Sequence, residues 1–194
     1  MTSQFFVFTG GPGSGKTSLI QALAQKGFAT APEAGRAIIR AQQAIGGDAL
    51  PWRNRQLFAE LMLSWDMRSH DSAAGGSTVL FDRGVPDTIG YMQLCGLEVP
   101  APMWLATEHY RYNPHVFVLP PWPEIYANDT ERKQSLGEAE RTFEAVTAVY
   151  RQLGYTLVEV PRGSVSERAA FVAGEIMRAL EPDPIQSGLR ATQA

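Results

Sequence analysis

Cysteine is all but missing from this chain: Cys95 stands alone among 194 residues, so no disulfide can form within it and a reducing compartment suits it. Its thiol reads as a semi-buried core group in preference to a nucleophile. Histidine is scarce too, and His70, His109 and His115 show no metal-ligand spacing and no cysteine partners, which argues against a zinc site. No apolar stretch approaches the roughly 20 residues that cross a bilayer, and the first residues lack the basic and apolar regions of a secretory signal. A cytoplasmic protein with no membrane span is expected. Nor is there an excess of positive charge: 17 Lys and Arg against 20 Asp and Glu leave a net charge of -3, which argues against nucleic acid as a partner and towards a small molecule. Repeats and low-complexity tracts are absent.

What is present is ordinary for a globular chain, with 44% hydrophobic and 19% charged residues. A chain of this length buries about 70% of its unfolded surface. Apolar runs at 4–9, 28–32, 78–82, 115–119 and 155–160 alternate with helical patterns. That alternation predicts an α/β, three-layer sandwich around a five-stranded, mainly parallel sheet. Helices are expected over 15–27, 34–44, 51–71, 86–96 and 100–111, with Pro51 opening the long third one. Ser135 with Glu138, and Ser164 with Glu167, have the spacing of capping boxes and mark two more starts. From Leu136 to Leu153, apolar residues recur every three or four positions, giving a helix with one face for the sheet. One domain is expected over 1–180, followed by a mobile tail over 181–194.

The densest signal is VFTGGPGSGKTSL at 7–19. From Gly10 through Gly15 to Lys16 and Thr17 the spacing is G-x-x-x-x-G-K-T, that of a loop that wraps phosphates. Gly10, Gly11, Gly13 and Gly15, interleaved with Pro12 and Ser14, let backbone N–H groups converge on an anion that a side chain would block. The following helix turns its positive end to the same point, with Ser18 beside it. Lys16 is expected to reach the β and γ phosphates of ATP, and the Thr17 hydroxyl to ligate Mg²⁺. A glycine-rich turn with an incidental lysine is the competing reading; an apolar strand before it and an amphipathic helix after it favour the phosphate loop.

In an open α/β sheet the ligand lies at the carboxyl ends of the strands. That rule selects three further segments, APEAGR, FDRGVPD and LPPWPEIYANDTERKQ. Asp82 ends its strand where a nucleotide site needs a carboxylate for Mg²⁺ or for the nucleophile, and Arg83 beside it suits a substrate phosphate or hydroxyl. Otherwise Asp82 caps a turn and Arg83 makes a structural ion pair. Glu33 is placed to take a proton from an attacking hydroxyl while Arg36 holds the acceptor; otherwise the pair is a helix-start carboxylate with a solvated partner. Trp52 is the best aromatic candidate to line an acceptor pocket. The proline-rich fourth segment reads as a lid over about 121–136, with Arg132, preferred over Lys133, closing on the γ phosphate. A solvated helix face, or a ligand for a proline-binding module, are the alternatives there.

Taken together, FTGGPGSGKTSLI, APEAGRAIIRAQ, LPW, FDRGVPDTIGY, YRYNPHVFVLPPWPEIYANDTERK and LGYTLVEVP resemble, over almost the whole chain, a P-loop ATPase family. Its better-known relatives are the nicotinamide riboside kinase domain of bacterial NAD regulators and an insect photoreceptor-trafficking protein that binds GTP. The resemblance implies a nucleoside- or nucleotide-kinase plan with a helical lid, Lys16 and Thr17 as phosphate and Mg²⁺ residues, Glu33 and Asp82 as the acidic positions after the second and third strands, and Arg132 in the lid. The function expected is transfer of the ATP γ phosphate to a nucleoside-like or other hydroxyl acceptor. The alternative is a nucleotide-dependent switch acting on a protein or lipid, although no N-K-x-D sequence supports guanine specificity. An oligomeric remodelling motor fits less well, for want of room for an extra helical subdomain. A homodimer through the apolar residues around Met103, Trp104 and Leu105 is a further expectation.

Overall fold

The computed structural model describes residues 4–73, 76–125 and 136–181. Five strands, β1 (Phe5–Gly10), β2 (Ala29–Ala31), β3 (Val79–Asp82), β4 (His115–Leu119) and β5 (Thr156–Glu159), pair in parallel in the order β2-β3-β1-β4-β5. Seven helices connect or flank them: α1 (Lys16–Gln25), α2 (Ala34–Ile45), α3 (Arg55–Ser72), α4 (Val85–Leu94), α5 (Ala101–His109), α6 (Leu136–Gln152) and α7 (Val165–Leu180). A 3₁₀ turn, Pro123–Ile125, follows β4.

Strand β1 is the middle of the sheet and carries no polar alternation because both of its faces are covered. Successive side chains point to opposite faces. Phe6 and Phe8 join Leu19 and Leu23 of α1 and Val172 and Ile176 of α7 in one apolar layer. Phe5 and Val7 join Phe81, Val116, Val118 and, from α6, Tyr150 in the other. Each phenylalanine so enclosed stabilises the fold by about 1.5–3 kcal/mol. The result is a three-layer α/β sandwich, as the alternation of runs and helices predicts.

Helix ends follow local chemistry. Gly46 closes α2 at φ 68°, a left-handed position where a Cβ costs energy. Ser164 and Glu167 form the reciprocal capping box at α7, and the exposed Glu167 carboxyl lies below its usual pKa because the Ser164 hydroxyl and N–H both donate to it. One start differs from expectation. Pro51 does not open α3; Asn54 does, its side-chain oxygen accepting from the Leu57 N–H at 3.0 Å. Residues 51–54 are thereby freed to form a turn that leaves Trp52 54% exposed. The residues expected at a dimer contact divide: Met103 is buried in a cluster with Ala59, Ile89 and Met92, Trp104 packs on that cluster, and Leu105 faces outwards.

Phe8 pairs with Asp82 across β1 and β3. The carboxyl ends of these two strands therefore lie side by side, with the glycine loop leaving one and the FDRG segment leaving the other. The chain proceeds from β1 to β2 and β3 on one side, then crosses to β4 and β5 on the other. The crevice at the carboxyl ends opens at such a reversal.

Candidate functional site

The site begins with backbone. Gly10, Gly13 and Gly15 hold φ values of 144°, 72° and 75°, and Gly15 directly precedes α1. Two close approaches also require glycine: a Cβ on Gly10 would lie 2.4 Å from the Leu119 carbonyl oxygen, and one on Gly11 would lie 2.4 Å from that of Ala139. The loop is thus wedged between the end of β4 and the first turn of α6. The Ser14 hydroxyl donates to the Gly11 carbonyl at 3.0 Å, and the Arg168 guanidinium, from α7, donates to the Ser14 carbonyl at 3.1 Å. Arg168 also lies over the Trp122 ring, 5.5 Å from its centre, and its burial pushes its pKa down. Thr17 and Ser18 are exposed at the start of α1.

Lys16 is buried and its ammonium contacts the Asp82 carboxylate. The lysine of the loop and the carboxylate ending β3 are therefore one ion pair, placed there by the β1–β3 register.

A second cluster forms around Arg83, the residue directly after Asp82. This arginine adopts φ 73°, alone among the described non-glycine residues in doing so. Its Nε donates to Glu33 at 3.2 Å and its NH1 to Asp87 at 3.1 Å. Burial disfavours the guanidinium charge, but Glu33 and Asp87 outweigh it, so its pKa is raised. Glu33, directly before α2, also meets Arg36 at 3.6 Å. Asp87 is buried and accepts from the Gly84 N–H at 3.0 Å, the Tyr150 hydroxyl at 2.7 Å and the Thr9 hydroxyl. It therefore ties β1, the turn after β3 and α6 to a single carboxylate. Burial first, then the neighbouring Asp87, pushes the Tyr150 phenol well above its usual pKa, which keeps it a donor.

Glu33, Arg83 and Asp87 open onto a cavity of about 460 Å³. Pro12 of the loop and Glu138, Arg141 and Thr142 of α6 border it, Phe58 and Tyr91 form an aromatic wall, and Trp52 stands at the mouth. Asp82 is not among the lining residues, so the two acidic positions separate: Asp82 belongs to the loop and Glu33 to the cavity. Arg36 reaches this region through its pair with Glu33. Arg132 lies outside the described residues, as does most of the expected lid.

Several residues of the site escaped the sequence reading. Asp87 stands four positions beyond Arg83, the spacing of a helical ion pair, in a segment already singled out. Asp66 lines the cavity from α3 and is buried; it falls seven and eight positions after Ala59 and Phe58, on the apolar face of its helix. A charged residue on an apolar stripe was its signal. Arg168 and Tyr150 gave none, since their partners lie 154 and 63 residues away.

Residues 5–168 match a family described as AAA domain. The chain belongs to that family of P-loop NTPases. No protein of curated function matches this AAA domain in sequence. Its fold is that of nucleoside and nucleotide kinases. A deoxyadenosine kinase from M. mycoides, with products dCMP and a flexible dCDP bound, superposes with a TM-score of 0.63 at 12% identity, over 90% of this chain and 99% of that one. NadR protein in complex with NR gives 0.66 at 16%, over 94% of this chain but 52% of the other, so this AAA domain spans about half of that protein. Thymidylate kinase from Ehrlichia chaffeensis gives 0.61 at 14%, over 91% and 100%. At such identities the likeness is one of fold.

Proposed function

We propose that this AAA domain is a small-molecule kinase that binds MgATP on the loop from Gly10 to Ser18 and transfers the γ phosphate to a hydroxyl of an acceptor held in the cavity beside Glu33. The observation that carries this reading is the placement of a second carboxylate–cation centre, Glu33 with Arg83, on a cavity bordered by Pro12 of the loop. A nucleotide switch needs no such enclosed space next to its phosphates. The kinship in fold with deoxyadenosine kinase, thymidylate kinase and NadR supports a nucleoside-like acceptor.

The proposed roles follow from the chemistry of each residue. The loop N–H groups and the α1 dipole hold the phosphates, and Lys16, oriented by Asp82, supplies a positive charge to them. Thr17 and Asp82 offer the hard oxygen donors that Mg²⁺ takes when it arrives with a nucleotide. When bound there, Mg²⁺ neutralises charge on the phosphoryl oxygens. Glu33 orients the attacking hydroxyl and accepts its proton; Arg83 and Arg36 hold its carboxylate in place, and phosphoryl transfer depends mainly on positioning and charge stabilisation. Arg83 and Arg36 fix the acceptor, Trp52 covers the cavity mouth, and Arg132 of the lid closes on the γ phosphate.

The test is transfer from γ-labelled ATP, with Mg²⁺, to a panel of nucleosides, nucleotides and sugars. A labelled product is expected that requires both an acceptor and Lys16, with Lys16→Met abolishing it. Glu33→Gln is expected to lower kcat about 10²-fold or more while leaving the KM for ATP in place. Label released only as free phosphate, at one rate whatever is added, would overturn the kinase reading in favour of a nucleotide switch.

A further inference from the structure

The Arg83 cluster leaves one acid unexplained. Asp66 projects from α3 into the same cavity, is 8% exposed, and makes no ion pair among the described residues. Two guanidiniums, Arg83 and Arg36, already stand against two carboxylates, Glu33 and Asp87. A third negative charge would have to share Arg83 with both of them; Arg55 and Arg141 also line the cavity but make no ion pair with Asp66 among the described residues. The groups that face Asp66 are Glu33 ahead of α2, Arg83 in the turn after β3, Asp87 and Thr88 on α4, and Tyr112 ahead of β4. Burial, then the Asp87 charge, pushes its pKa well up; Arg83 and the Thr88 hydroxyl oppose them, and Glu33 adds to the rise. A carboxyl held neutral is both a donor and an acceptor of hydrogen bonds.

A second polar group waits in the same space. Tyr91 lies on α4 one turn beyond Thr88 and lines the cavity, its ring edge-on to Phe58 with centres 5.5 Å apart. Its hydroxyl oxygen is enclosed and has no hydrogen-bond partner among the described residues; the Cys95 thiol beside it does not meet hydrogen-bond geometry. A buried hydroxyl left unpaired costs stability, and a ligand that pairs it recovers that cost. Phe58, Met62 and Val146 add apolar surface to the lining, and Arg55 and Cys95 stand near the Tyr91 hydroxyl.

We propose that Asp66 and the Tyr91 hydroxyl read the edge of a flat ring on the acceptor, which therefore belongs to the class of heterocycles bearing an adjacent hydrogen-bond donor and acceptor, as in a lactam, a carboxamide or an amino-substituted ring nitrogen. Asp66 determines which ring the α3 wall of the cavity accepts. The inference rests on the kinase reading for the word acceptor, and on the cavity alone for binding.

The experiment measures binding to the full chain without ATP, by calorimetry, using adenosine, inosine, cytidine and nicotinamide riboside as ring-bearing probes and ribose as the ringless one. At least one ring-bearing probe is expected to bind roughly tenfold or more tighter than ribose. Asp66→Leu removes that preference, Tyr91→Phe weakens it several-fold, and Asp66→Asn, which keeps a donor and an acceptor, restores it to within a few-fold. Binding of MgATP to each variant reports that the fold is intact. Asp66→Leu binding the ring-bearing probes as the parent does, or a parent that favours none of them over ribose, overturns the proposal. A parent that binds such a probe with the Asp66 dependence but transfers no phosphate to it leaves the ring-reading site standing and removes the kinase reading instead.

Discussion

At the scale of single residues, Arg83 stands out because its backbone is where an arginine does not rest unaided. A left-handed φ costs a non-glycine residue of order 1–2 kcal/mol, and here Glu33 and Asp87 hold it in place from two sides. Arg83→Gly therefore relieves backbone strain while removing the guanidinium. We expect a loss of stability, because Glu33 and Asp87 lose their shared cation, and in the folded protein an acceptor KM raised tenfold or more with an unchanged KM for ATP, measured by urea unfolding and by steady-state kinetics on the acceptor that the transfer assay identifies. Asp87→Leu is expected to be damaging too, because it takes one of two carboxylates from Arg83 and leaves the Thr9 and Tyr150 hydroxyls and the Gly84 N–H without their acceptor; a loss of about 3–5 kcal/mol in urea unfolding is the expected outcome. Asp66 gives a pH signature of opposite sign to the usual carboxylate. Its pKa is higher in the folded chain than in the unfolded one, so its contribution to stability is whole below the unfolded value and is lost as pH rises through the folded value. Asp66→Asn is expected to flatten the fall in unfolding free energy as pH rises above the ordinary aspartate range, measured by urea unfolding at a series of pH values.

At the scale of elements, close approaches of backbone decide what the site tolerates. Gly90 of α4 lies against α6, where a Cβ would sit 2.9 Å from the Val146 Cα and Cγ1. Alanine is the better helix former by roughly 1 kcal/mol, yet overpacking costs about 1–3, so Gly90→Ala should lower stability and narrow the cavity that Val146 lines. Thermal unfolding checks the first and the acceptor KM the second. Helix α7 reaches the phosphate loop through Arg168, and Arg168→Met keeps its bulk but drops the bond to the Ser14 carbonyl. A several-fold rise in the KM for ATP is expected, with the acceptor KM in place. The elements themselves were largely legible in the sequence, because apolar spacing, glycine stops and the Ser164–Glu167 box are local signals. The start of α3 was misread because proline is common at a first helical turn, while Asn54, the actual cap, carries an equally local but overlooked oxygen. The Asp87 and Asp66 contacts were hidden for another reason. They depend on α3, α4 and α6 meeting over the carboxyl edge of the sheet, and one chain read in order shows charges but not which of them face each other.

At the scale of the molecule, the strand order puts phosphate loop and cavity on one edge of a single sheet, and α6 borders both. Its first turn presses the Ala139 carbonyl against Gly11, while Arg141, Thr142 and Val146 line the cavity. A helix so placed makes donor and acceptor binding thermodynamically linked. Whatever factor the acceptor imposes on MgATP affinity by moving α6, MgATP imposes on the acceptor, and calorimetric titrations in both orders should close to the same coupling free energy.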